Sequence, residues 1–157
     1  INIPDHNPGS TENQVNAFIY FMNAELCRHS IVNNNPSIPL VVLDRSVDTL
    51  LSHAFALDYM YGYSSFGKCR EILKSSSYLT PDFTILLSAN TSTLNSRFKL
   101  RETDDSCRPY IDSEFLDISI SYFDRGYSIS HGISRNSSED VENLIPSSIL
   151  DIVSSLC

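Results

Sequence analysis

Two short apolar runs constrain the fold of this chain most. Pro39-Leu40-Val41-Val42-Leu43 breaks off at Asp44-Arg45-Ser46, and Phe83-Thr84-Ile85-Leu86-Leu87 follows Pro81-Asp82. Neither alternates apolar with polar residues, as a strand with one wet face would. A short continuous run instead reads as a parallel strand covered on both faces by helices. Helical spacing surrounds both runs. Val15, Phe18, Ile19, Met22 and Leu26 predict a helix over 13–31, with Ser10 or Thr11 as its cap and Asn33-Asn34-Asn35-Pro36 as its stop. Leu50, Leu51, Ala54 and Leu57 predict a second helix over 48–60. Shorter helices are predicted over 68–76 and 91–101, another over 112–124, and a last one over 138–156 interrupted at Pro146. Tyr127-Ser128-Ile129-Ser130 is a third, more polar strand. Strands alternating with helices predict an α/β fold with a parallel sheet. Such sheets bind ligands beyond the carboxyl ends of their strands, which is where Asp44 and Arg45 fall.

Composition narrows the function. A length of 157 residues, 41% of them hydrophobic, suits a single domain, 1–157, with its own core. The net charge of -8 argues against a nucleic-acid or membrane-surface binder, either of which needs a basic patch. No apolar run approaches the roughly 20 residues of a membrane span. Cys27, Cys69, Cys107 and Cys157 form no CxxC pair and have no zinc spacing, so free and mostly buried thiols are expected. The glycosylation tripeptides at Asn90 and Asn136 are of a kind that arises often by chance and receive no functional reading.

The ordered motifs resemble a known family. VVLDRSVDTLLSHA resembles the Asp-Arg segment of the thymidylate kinases and related deoxynucleoside kinases, which are P-loop phosphotransferases. PDFTILLSANTSTLNSRFKLRETDD resembles their next strand, helix and arginine-bearing lid, here about 97–110, and EFLDISISYF resembles the helix after the lid. The resemblance runs over roughly residues 13–157 and implies a three-layer α/β/α parallel sheet of P-loop kinase type. It also implies a cytoplasmic enzyme that transfers the γ-phosphoryl group of ATP, with Mg2+, to a nucleoside monophosphate.

Phosphoryl transfer needs positive charge on the moving group, a metal ion and a positioned acceptor oxygen. Asp44 can orient or deprotonate an acceptor hydroxyl or hold magnesium through water, and Arg45 can clamp an acceptor phosphate. An Asp44–Arg45 pair that merely caps the next helix is the plainer alternative. Arg97 and Arg101 lie four apart on one helical face and form, with Arg108, the positive cluster that the resemblance assigns to the ATP phosphates and to catalysis. The resemblance makes helix 13–31 the wall against the acceptor base, with Phe18, Tyr20 or Phe21 as stacking ring. It makes Ser46, Thr49 and His53 sugar or base contacts. The family's base-reading Arg in that helix is replaced by Asn23 and Ala24, which departs from thymidine specificity.

A larger departure is the phosphate loop. The resemblance implies that a strand, a GxxxxGK[ST] loop and a helix, about fifty to seventy residues, stand before residue 1 in a complete kinase. On that reading the chain alone does not turn over ATP. Gly62-Tyr63-Ser64-Ser65-Phe66-Gly67-Lys68-Cys69 fits GxxxxGK but follows a helical stretch and ends in a soft sulfur, so it reads as coincidence. Two alternatives to the monophosphate kinase stay open: a deoxynucleoside kinase acting on a 5′-hydroxyl, and a non-catalytic interaction module of the same fold. The family's pairing through the helices 13–31 and 48–60 implies a homodimer.

Overall fold

A computed structural model of the chain describes residues 9–90, 92–94, 96 and 112–137. The chain divides into two compact units: Ile1–Pro81 with Asp104–Ile129, and Asp82–Thr103 with Ser130–Cys157.

The first unit is helical. Helix α1 spans Thr11–Asn33, and Ser10 caps it by accepting the Asn13 amide at 3.1 Å. Its buried stripe is Phe18, Met22 and Glu25, four and then three residues apart, as one helical face requires. Helix α2 spans Val47–Tyr61 and helix α3 spans Ser65–Lys74. Gly62 ends α2 at φ 69°, the left-handed conformation that costs glycine nothing, and its amide donates to the Asp58 carbonyl at 2.9 Å. Helix α4 spans Ser113–Asp124, with the Asp112 side chain accepting from the Glu114 amide.

Helix α2 is central and packs against α1, α3 and α4. Its small residues Ser52, Ala54 and Ala56 are buried with Val47, Leu51 and Leu57. Phe18, Met22, Cys69, Leu73 and Tyr122 close the main core around it, and Phe115 packs with Ala56 and Leu57 in a second cluster. Each large apolar side chain so buried contributes about 1.5–3 kcal/mol. The rings of Phe55, Phe66, Tyr122 and Tyr127 meet one another at 5.4–6.2 Å between centroids.

The second unit holds a two-stranded parallel sheet. Strand β1, Phe83–Ser88, pairs with β2, Gly132–Ser137, in the register Phe83 to Gly132 and Ser88 to Ser137. Gly132 has no side chain because the Phe83 ring lies where its Cβ would stand, 2.7 Å away. The protein is thus mixed α/β, with one parallel strand pair among the described residues, and the second expected strand is one of the two.

Two strand predictions are corrected. Residues 39–43 form no strand and run over the surface. A strand must give its N–H and C=O groups to a neighbour, and the only ladder among the described residues is β1 with β2. The third strand starts at Gly132 and not at Tyr127. Residues 127–129 are bound elsewhere: the Tyr127 carbonyl accepts from Tyr122 at 3.0 Å, and the Ile129 amide donates to Asp48 at 3.0 Å. Cys69 is a buried free thiol and Cys27 an exposed one, while Cys107 and Cys157 lie outside the described residues. So does the predicted final helix, 138–156. Of the helix predicted over 91–101, the described residues 92–94 and 96 are helical. Among the described residues no helix is long and apolar enough to cross a membrane.

Candidate functional site

The turn between the apolar run and α2 is set by three local bonds. Ser46 caps α2, its hydroxyl accepting from the Asp48 amide at 3.3 Å and its carbonyl from the Thr49 amide at 2.9 Å. Arg45 before it sits at φ 64°, the one non-glycine residue with positive φ among those described. That region costs a side-chain-bearing residue about 1–2 kcal/mol, so something must hold it. Arg28 does so from α1, donating from Nη1 to the Arg45 carbonyl at 3.2 Å and to Glu25 Oε1 at 2.6 Å. Replacing Arg45 by glycine removes the steric cost and is expected to leave the melting midpoint unchanged or raise stability by up to about 1 kcal/mol in urea unfolding. A loss of more than that would mean that the Arg45 side chain holds the turn.

Glu25 is 4% exposed, and its second oxygen has no partner among the described residues. Burial pushes its carboxyl above the usual range, against the pull of the Arg28 charge and hydrogen bond. Asp44 lies at the rim of an open groove of about 360 Å³. Its apolar lining is Ile31 and Val32 of α1, Val41, Val42 and Leu43 of the run, and Leu79; Arg28 and Asp44 are its polar groups.

The other expected site residues are dispersed. Phe18 is a core residue, while Tyr20 and Phe21 are half-buried and meet edge to face at 5.4 Å. Thr49 is half-buried, its carbonyl accepting from the Ser52 hydroxyl at 3.0 Å. His53 stands edge-on to Phe115 at 5.3 Å, and burial first, then the Arg45 charge, pushes its imidazole down to about 4. Arg97, Arg101, Arg108 and the lid at 97–110 lie outside the described residues.

The GxxxxGK stretch is not a phosphate loop. Gly62 ends α2, and Ser65 to Lys68 lie in α3. The amides a phosphate would use are taken: Ser65 and Phe66 N–H both donate to the Asp58 carboxylate at 2.8 Å. Among the described residues no group of three or more His, Cys, Asp or Glu could hold a metal ion. Asp44 could supply magnesium with a single carboxylate, water and phosphate oxygens completing its six.

Sequence reasoning missed the two groups that organise this unit. Arg28 follows Glu25 by three residues, a helical ion-pair spacing, and that was its one visible signal. Asp48 looks like an ordinary acidic residue in a first helical turn. It is fully buried, and its carboxylate accepts from Tyr122 Oη and Ser128 Oγ, both at 2.7 Å, and from the Ile129 amide at 3.0 Å. No protein-family model, curated protein or solved structure matches the chain.

Proposed function

We propose that the first unit is a non-catalytic protein-interaction module, which takes a segment of a partner protein along the groove beside Asp44. The exposure of the apolar run carries this reading. Val42 is 77% exposed and Ile31 61% exposed, and both line the groove with Val41 and Leu43. Contiguous apolar exposure on an otherwise well-packed unit marks an interaction site. The buried acid, Asp48, is occupied in holding residues 127–129, and the amides of the GxxxxGK stretch are occupied by Asp58, so neither competes with the groove as a ligand surface among the described residues.

A second reading has its own support. The order of motifs, the parallel β1–β2 pair and the placing of Arg28 and Asp44 on one groove favour the acceptor side of a thymidylate kinase-like or deoxynucleoside kinase-like enzyme. That enzyme would have the three-layer P-loop sheet, use ATP and magnesium, and work as a cytoplasmic homodimer. The missing base-reading Arg of helix 13–31 would then have a substitute in Arg28, one turn further along α1.

One set of measurements separates the two. Peptides selected from a displayed library on the immobilised protein should bind the Val42→Asp variant at least tenfold more weakly, with its thermal midpoint unchanged. Saturable binding of dTMP or thymidine by the chain, lost in Arg28→Gln, would overturn the module reading and support the acceptor side of a kinase.

A further inference from the structure

The groove carries one cation, and the protein has fixed its position in advance. Arg28 has five N–H donors. Both of its bonds leave from Nη1, to Glu25 Oε1 at 2.6 Å and to the Arg45 carbonyl at 3.2 Å. Its Nε and Nη2 donors have no partner among the described residues, and its side chain is 41% exposed at the groove. The Glu25 side chain beneath it is 6% exposed, so the anchor is sheltered from solvent and from salt. An arginine held by one nitrogen, with the rest of its fork open beside apolar walls, is arranged for a planar oxyanion, which it can grip through two parallel bonds.

We infer that this groove reads a carboxylate set among apolar side chains: an acidic residue of a partner segment docks on Arg28 while its apolar neighbours cover Val42 and Ile31. The inference rests on the reading of the groove as a protein-docking surface and adds the charge of what docks there. It runs against the bulk charge of the chain. At -8 the protein as a whole attracts basic peptides, so a preference for acidic ones must come from a local, positioned cation. Asp44 in the same lining opposes a carboxylate, so the preference has to come from paired bonds to Arg28 and not from net charge at the groove.

The test uses the full chain and three fluorescein-labelled peptides, alternating leucine with glutamate, with glutamine or with lysine, read by anisotropy at physiological salt. The glutamate peptide should bind about tenfold more tightly than the glutamine peptide, and the lysine peptide no more tightly than glutamine. Arg28→Gln should erase the preference. That variant leaves Glu25 buried beside a neutral amide, so Arg28→Lys is read with it: lysine keeps the ion pair and loses the fork, and should retain only about a third of the preference. Equal binding of all three peptides, lost in Val42→Asp but indifferent to Arg28, would overturn the charge reading and leave the docking surface standing. Tightest binding of the lysine peptide would also overturn the charge reading. Failure of all three to bind would overturn both.

Discussion

Replacing Asp48 by alanine is expected to destabilise the protein by about 3–5 kcal/mol, the largest loss foreseen for any polar substitution in the first unit. Asp48 stands in the first turn of α2, and its three donors come from far along the chain: the Tyr122 hydroxyl, the Ser128 hydroxyl and the Ile129 amide. Alanine would take the shared acceptor away from all three donors, of which Tyr122 keeps the Tyr127 carbonyl, and each donor left stranded costs about 1–3 kcal/mol. The bond also helps push the Tyr122 phenol well above its ordinary range; burial is the larger cause. Tyr122→Phe removes a single O–H, which Asp48 and the Tyr127 carbonyl share, and should cost only about 1–2 kcal/mol, because the ring still fills the core. Urea unfolding followed by far-UV circular dichroism reads both. An Asp48→Ala protein as stable as wild type would show that residues 127–129 are held by the aromatic cluster and not by the carboxylate.

Asp58→Ala is expected to cost about 2–3 kcal/mol and to loosen α3 before the rest of the unit. Ser64, at the helix's N-cap position, makes no side-chain capping bond. Asp58 of α2 does the capping from outside: its carboxylate accepts the Ser65 and Phe66 amides at 2.8 Å each and the Ser65 hydroxyl at 2.5 Å. These satisfy amides that a helix start leaves bare and place negative charge at its positive end. Cys69 reports the loss. Its thiol is buried in α3 and pushed up to about 12, by burial first and then by the Asp58 charge, so it should resist alkylation in the wild type while Cys27 reacts. Peptide mapping after brief iodoacetamide treatment should show Cys69 labelled at least tenfold faster in Asp58→Ala. Unchanged protection would mean that Leu73 and the packing against α1 hold α3 unaided.

How much of this was legible varied with the range of the interaction. The helices over Thr11–Asn33, Val47–Tyr61 and Ser113–Asp124 agree with their periodic stripes to within a few residues, because stripe, cap and stop are all local. Ser10 and Gly62 could be read as boundary residues for the same reason. The run Pro39–Leu43 shows the opposite case. Its composition suits a buried strand, yet only a neighbouring strand makes it one, and composition cannot name the neighbour.

The candidate site divides along the same line. Periodicity and turn chemistry by themselves determined which of the described segments coil into α1, α2 and α4, and that Asp44-Arg45-Ser46 interrupts the chain just before a helix. Tertiary structure alone decided that Val42 faces water, that Arg28 reaches across from α1 to the Arg45 carbonyl, and that Asp48 and Asp58, not Asp44, carry the converging hydrogen bonds. The reason is physical. A hydrogen bond between residues 48 and 122 depends on how helices pack, and a sequence pattern records what a residue can bond, not what packing will bring within reach.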